Sequence, residues 1–182
     1  MRAQGPEGDA IETPTLSAEN ALALVRPAST DFNDIRLTKL WLAIRRKPWR
    51  SLAVVAGSTD ISTIEISNTL AKMAWSYLGR ASCVVDCRDL SLRLVEYQLR
   101  EVGAYVDEGR SVIVSLRSIA ENPATIAIAG ALEAAVLCVR LGESSIASAL
   151  QAIQEIGRPK FIGSIVLGQS LSPRSGQARK AG

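Results

Sequence analysis

A short apolar strand, a loop of small hydroxylated residues and a helix follow one another in residues 52–74, which read LAVVAGSTDISTIEISNTLAKMA. This order restricts the fold more than any other feature, because loop N–H groups and a helix N-terminus arranged in this way can surround a phosphate. The positions of this phosphate loop that matter most are Gly57, Ser58, Thr59, Asp60, Ser62 and Thr63. The sequence therefore predicts an α/β fold of the nucleotide-binding type.

The phosphate loop lacks the side chains that nucleotide chemistry needs. A functional P-loop places a lysine on the β- and γ-phosphates and a following serine or threonine on magnesium. The slots for Gly-Lys-Ser/Thr hold Ser62, Thr63 and Ile64 in this chain. Residual anion binding by the loop amides is one interpretation. The interpretation that we favour is a plain strand-to-helix turn in which Ser62 caps the helix.

Strand and helix patterns alternate along the rest of the chain. Short apolar runs predict strands at 52–56, 82–86, 111–115, 134–140 and 161–167. Helical spacing predicts helices at 34–47, 62–78, 91–106, 123–131 and from Ser144 or Ser145 to Ile156. This alternation indicates a mostly parallel sheet that is covered on both faces. The predicted fold is a three-layer α/β/α domain with about five strands.

The same spacing assigns particular residues to the core. Trp41 lies among the apolar positions of the first predicted helix. Ile146, Leu150 and Ile153 are expected to face inward from the last one. Gly79 is expected to end the helix that follows the phosphate loop.

One domain is predicted, and it covers residues 31–168. Residues 1–30 are rich in Gly, Pro, Ser and Thr, so we expect a flexible N-terminal arm with at most one transient helical turn. Residues 169–182 are basic and rich in Ser and Gly, and we expect them to form a disordered tail.

The composition excludes several kinds of chemistry. Histidine is absent, which removes the commonest general base and the commonest metal ligand. The three cysteines, Cys83, Cys87 and Cys138, are an odd number, and they fit buried free thiols in a reducing compartment better than a disulfide framework. We expect no metal site, because the cysteine pair has no further Cys or His ligands near it.

Charge and hydropathy restrict the partners and the location. The net charge of +3 is too small by itself to argue for nucleic-acid binding. No apolar run approaches the ~20 residues of a membrane span. The first ten residues lack the basic and then apolar pattern of a signal peptide. We therefore expect a cytoplasmic protein with no nucleic-acid partner.

Several segments carry a family resemblance. Asn33-x-x-Arg36-x-x-Lys39 precedes the phosphate loop, VVDCRDL contains Asp86 at the end of the next strand, and VIVSLRS follows at the third strand. With this spacing the chain from about residue 29 onward resembles the cytoplasmic tyrosine kinase domains of bacterial capsule and exopolysaccharide systems. These domains, called BY-kinases or the CpsD/CapB family, are part of the MinD/ParA group of P-loop proteins.

The chain departs from this family at the positions that carry catalysis. The modified Walker A′ motif keeps Asp86, but Arg88 stands where the second acid should be. Ser115 occupies the Walker B aspartate slot, and Thr63 occupies the slot of the phosphate-loop lysine. Phosphoryl transfer relies on charge stabilisation and on metal ligands, so we expect no catalytic residues and no cofactor. ATP and Mg²⁺ are expected only under the alternative of a divergent tyrosine kinase or ATPase.

The resemblance also implies partners. It implies binding to an inner-membrane polysaccharide co-polymerase of the Wzz type, together with self-association. The expected contact residues are Asn33, Arg36, Lys39 and Trp49, the last because it follows Pro48 outside the helix. The simpler interpretation of this basic segment is a solvated helix face.

The expected function is a non-catalytic regulator or scaffold of exopolysaccharide or capsule synthesis and export. Such a protein would lie in the cytoplasm at the inner face of the cell membrane, held there by its partner. The alternative within the same fold is a MinD/ParA-like spatial organiser of a cell-envelope machine.

Overall fold

A six-stranded sheet forms the centre of the structure, which is a computed structural model that describes residues 23–24, 35–79, 82–142 and 144–168. The spatial order of the strands is β1-β3-β4-β2-β5-β6. The strands are β1 (Ala23–Leu24), β2 (Ser51–Ala56), β3 (Ser82–Asp86), β4 (Ser111–Leu116), β5 (Ala134–Arg140) and β6 (Phe161–Leu167). Strands β2 to β6 pair in parallel, which confirms the predicted sheet.

Strand β1 was not predicted. Ala23 and Leu24 pair antiparallel with Val84 and Cys83 at the outer edge of β3. The expectation of at most one transient helical turn is therefore wrong for these two residues. Composition suggested a solvated arm, but the edge of β3 offers unpaired backbone groups that even a two-residue segment can satisfy. The rest of the predicted arm and the predicted tail lie outside the described residues.

Five α-helices in the described residues cover the two faces of the sheet. They are α1 (Ile35–Ile44), α2 (Thr63–Leu78), α3 (Val95–Asp107), α4 (Ala124–Ala131) and α5 (Ile146–Ile156). The first ends three residues before the predicted Lys47. Helix α2 ends as predicted at Gly79, which adopts a left-handed conformation with φ 62° and donates its N–H to Trp75 O.

The core has one apolar cluster on each face of the sheet. All six residues of β2 are buried, as expected of a central parallel strand. One cluster packs α3, α4 and α5 against the sheet, and the other packs α1 and α2 against the opposite face. These two clusters produce the predicted three layers.

The inward face of α5 differs from the prediction. Ile146 and Leu150 are 79% and 53% exposed, whereas Ala152 and Ile156 are buried. Ile153 is partly buried against the core. Apolar residues occur on two flanks of this helix, so its sequence period alone did not determine which flank would be covered.

The two tryptophans at the end of α1 belong to the core. Trp41 is buried, as predicted. Trp49 is 4% exposed, and its indole N–H donates to Ile44 O at 3.0 Å. The two rings meet edge to face with centroids 6.5 Å apart. The expectation that Trp49 lies at the surface is wrong, because the chain after Pro48 returns the indole to the cluster beneath α1 and α2.

We predict that Trp49→Ala lowers the free energy of unfolding by about 3–5 kcal/mol, because it removes a large buried ring from the core. Leu42→Ala on α1 is the matched control. Leu42 is 63% exposed, so the change should cost less than about 1 kcal/mol. Chemical denaturation monitored by far-UV circular dichroism measures both. Equal, small losses would show that Trp49 is not part of the core.

Candidate functional site

The phosphate loop lies at the carboxyl end of β2. This strand lies between β4 and β5, and the chain order of the strands changes direction across it. Ligands of open α/β sheets bind outside the carboxyl ends of the strands at such a reversal. A cleft of about 210 Å³ lies there. Its walls are the phosphate loop, the segment after β4 and the start of α5.

Backbone contacts hold the start of the phosphate loop close to β5. The Gly57 N–H donates to Cys138 O at 2.7 Å. A Cβ atom on Gly57 would lie 2.8 Å from that carbonyl oxygen, so this close approach requires glycine. The Ser58 hydroxyl lies 3.0 Å from the Ser144 hydroxyl. The loop is thereby tied to the segment that leads into α5.

The remaining loop residues are placed in different environments. Thr59 lines the cleft beside Gly57 and Ser58, and Asp60 is exposed. Ser62 has the extended conformation of an N-cap residue, but its hydroxyl makes no capping hydrogen bond. The position that we predicted for the cap is therefore confirmed, and the predicted side-chain contact is wrong.

A buried hydrogen-bond network links the loop to β4. The Ser115 hydroxyl donates to Thr63 Oγ1 at 2.8 Å, and the Thr63 hydroxyl donates to Leu116 O at 3.0 Å. Thr63 and Ser115 have no exposed surface. The residues predicted for the lysine slot and the Walker B slot are thus joined by a neutral hydrogen bond.

The remaining acid of the Walker A′ motif is also paired. Arg88 donates from Nε to Asp86 Oδ1 at 2.9 Å and from Nη2 to Asp86 Oδ2 at 2.7 Å. Burial raises the pKa of Asp86, but the hydrogen bonds and charge of Arg88, with that of Arg117, outweigh burial and hold this pKa below its usual value. Arg88, which we predicted to stand in the second acid slot, therefore neutralises the charge of Asp86.

Arg117, which precedes the cleft residue Ser118, is also paired with acidic side chains. Arg117 donates to Asp89 at 2.9 Å and to Glu121 at 3.2 Å. The described residues that line the cleft carry no charge. They are Ala56, Gly57, Ser58, Thr59, Ser118, Ile119, Ala120, Ser145, Ser148, Gln151 and Ala152. The cleft thus offers hydroxyl, amide and backbone groups to a ligand and no ionic partner for a triphosphate.

The three cysteines are free and buried, as predicted. Burial raises the pKa of Cys87 to about 12, with a contribution from the negative charge of Asp86, and burial raises that of Cys138 to about 12. A thiol must lose its proton to act as a nucleophile or a metal ligand. In the described ranges, no three His, Cys, Asp or Glu side chains come together as metal ligands would.

The predicted partner-binding residues are not brought together with the cleft. Lys39 is exposed on α1, and Arg36 belongs to the same helix. Trp49 is in the core beneath that helix. Asn33 lies outside the described residues. None of the described helices is long and apolar enough to cross a membrane.

Sequence reasoning missed the direct contact between Thr63 and Ser115, which are 52 residues apart. A signal for it was present, because the family resemblance assigned both residues to slots of one catalytic centre. Replacing a lysine and an aspartate by two small hydroxyl residues at such positions favours a neutral hydrogen bond.

No protein-family model matches this chain, and no curated protein does either. Solved structures do resemble it. The three-layer domain with its parallel sheet places the chain among P-loop NTPase-like α/β folds.

Within that class it is similar to the BceF tyrosine kinase domain, with 14% identity and a TM-score of 0.51 over 72% of this chain and 74% of the other. The kinase domain of the Escherichia coli tyrosine kinase ETK is 13% identical, with a TM-score of 0.41 over 80% of this chain and 65% of the other. The conclusion rests on the first: this chain has the fold of a bacterial tyrosine kinase domain.

We predict that Thr63→Val lowers the free energy of unfolding by about 1–3 kcal/mol, because the Ser115 hydroxyl and Leu116 O lose their buried partner. Ser115→Ala should cost about 1 kcal/mol. The double variant should cost less than the sum, since the two hydroxyls form one network. Urea denaturation measures the cycle.

The control is Thr69→Val, whose hydroxyl donates to Glu65 O on an exposed helix surface. It should cost less than about 0.5 kcal/mol. Strict additivity of Thr63→Val and Ser115→Ala would contradict the coupling.

Proposed function

We propose that this protein is a non-catalytic BY-kinase-like regulator or scaffold of bacterial exopolysaccharide or capsule synthesis and export. The observation that carries the proposal is the neutral, fully buried hydrogen bond between Thr63 and Ser115 within a tyrosine kinase fold. Two neutral hydroxyl groups therefore lie where phosphate binding would need charged side chains. The protein would then act through the partners that it holds.

The energetics of phosphate binding support a non-catalytic role. A nucleoside triphosphate with magnesium depends on cations and hard oxygen ligands at close range. Arg88 and Arg117 are paired with Asp86, Asp89 and Glu121. Freeing Arg88 for a phosphate would break a bidentate pair and leave the Asp86 carboxylate beside the incoming anion. The site therefore opposes the ligand instead of stabilising it.

We predict no measurable heat of MgATP binding in isothermal titration calorimetry, because the described residues that line the cleft carry no charge. The positive control is a tyrosine kinase domain of this fold with an intact phosphate-loop lysine. Micromolar affinity that depends on Mg²⁺ would contradict the proposal and support the alternative of a divergent kinase or ATPase.

The proposed partner is the cytoplasmic part of an inner-membrane polysaccharide co-polymerase, which would hold the protein at the inner face of the membrane. A basic surface formed by Lys39, Arg46 and Lys47 supports an acidic contact on that partner. All three side chains are exposed, and they lie on α1 or in the turn that follows it. Opposite charges at an interface raise the association rate and favour the correct partner.

Reversing charge on the basic surface tests the docking proposal. We expect Arg46→Glu with Lys47→Glu to weaken co-purification with the co-polymerase by about tenfold or more, since a tenfold change needs only 1.4 kcal/mol. The matched control is Arg93→Glu with Arg100→Glu, which reverses two exposed charges beside or on α3. Binding that survives the first change, or is lost equally in both, would contradict this docking surface.

A further inference from the structure

The outward side of α1 carries two exposed apolar side chains with a lysine between them. The inward side of this helix belongs to the core, because Trp41 and Ile44 are buried. Ile35 and Leu42 are 67% and 63% exposed, and Lys39 is exposed as well. Residues three and four apart share a helix face, so Ile35, Lys39 and Leu42 form one row along α1. We call these three residues the outward row.

Positive charge is concentrated on this helix and in the turn that follows it. Residues 35–50 contain six lysines and arginines and no acidic residue. Arg50 is paired with Glu133. The three exposed residues of the basic surface differ from it, because no salt bridge joins them to an acid in the described part of the chain. Their charge is therefore available to an anionic surface.

A tyrosine lies beside the outward row. The ring of Tyr77 stacks on that of Trp41 with centroids 6.2 Å apart, and the Tyr77 hydroxyl lies 2.7 Å from the Thr38 hydroxyl. Thr38 is four residues before Leu42 and so neighbours it on the helix. Tyr77 is 41% exposed. Tyrosine favours the headgroup level of a membrane, because its ring is apolar and its hydroxyl is polar.

This combination of side chains suits the surface of an anionic lipid bilayer. An interfacial helix buries apolar side chains at the boundary between headgroups and acyl chains, and the cations beside them attract anionic headgroups. Ile35 and Leu42 supply the apolar side chains. Lys39 lies between them, and its long apolar stem allows its ammonium group to stay at the level of the phosphates.

We propose that α1 lies on an anionic lipid bilayer, with Ile35 and Leu42 inserted among the lipids and the basic surface at the level of the phosphates. This inference goes beyond the proposed function, because it needs no protein partner. A co-polymerase would lie in the same membrane. Its acidic contact would meet Arg46 and Lys47 at the end of α1, while the outward row lies on the lipid.

Sedimentation of the full chain with sucrose-loaded vesicles tests the proposal. The vesicles contain phosphatidylcholine alone, or phosphatidylcholine with about one-third phosphatidylglycerol, which makes their surface anionic. We expect the protein to bind the anionic vesicles at least about tenfold more strongly than the neutral ones. Added salt should weaken this binding, because it shortens the range of the attraction between the cations and the headgroups.

Substitutions in the outward row separate insertion from simple charge attraction. Ile35→Ser with Leu42→Ser should lower binding to the anionic vesicles by about tenfold or more, because no apolar side chain then inserts. The matched control is Leu92→Ser with Leu141→Ser, at two leucines outside α1 that are 59% and 58% exposed. The control should bind like the wild type. Circular dichroism confirms that each variant folds.

A fluorescent label shows which part of the protein meets the lipid. Leu42→Cys supplies an exposed thiol, and the native cysteines are buried and should not react. An environment-sensitive dye at residue 42 should shift its emission to shorter wavelength with anionic vesicles and not with neutral ones. The same dye on Ser91→Cys, at an exposed serine outside α1, should show no shift.

Three results would overturn the proposal. They are equal binding to neutral and anionic vesicles, an equal loss in the control variant, and a dye at residue 42 that does not respond to anionic lipid. The serine substitutions in the outward row leave the basic surface intact, so co-purification with the co-polymerase in detergent should not change. If they abolish co-purification and leave vesicle binding intact, the outward row is a protein interface and the lipid proposal is wrong.

Discussion

The parallel pairing of β2 with β4 on one side and with β5 on the other is the constraint on which the rest of the structure depends. All six residues of β2 are buried, so every backbone group of this strand must find its partner within the sheet. This pairing brings the phosphate loop, the end of β4 and the end of β5 to one edge. Gly57 approaches Cys138 and Thr63 meets Ser115 for that reason.

Neutrality at this edge follows from the cost of burying charge. A lysine and an aspartate in the positions of Thr63 and Ser115 would need a phosphate, a metal or each other to balance their desolvation. Two hydroxyl groups need only a hydrogen bond, and they have one. A neutral hydrogen bond therefore joins the start of α2 to the end of β4 in the interior. The acids and arginines around it are satisfied at the surface by one another.

The local residue pattern explains which elements could be predicted from the sequence. A short run with an apolar centre, such as 82–86, favours a strand in the middle layer, and the predicted and observed bounds agree there. Gly79 ends α2 because a left-handed residue is needed at that point. The burial of Trp49 and of the α5 flanks was harder to predict, because an apolar side chain near a turn or on a second helix flank can lie either in the core or at the surface.

The sequence by itself determined the order of the elements from α1 to β6, the α/β class and the small hydroxyl side chains of Thr63 and Ser115, because these follow from local periodicity and from residue identity. Only the tertiary structure decided that these two hydroxyl groups meet. Thr63 and Ser115 are 52 positions apart, and the strand pairing that joins them is a long-range contact. The tertiary structure also determined which flank of α5 is exposed. Ile146 and Leu150 are exposed and Ala152 and Ile156 are buried, and the apolar period of the helix fits either flank.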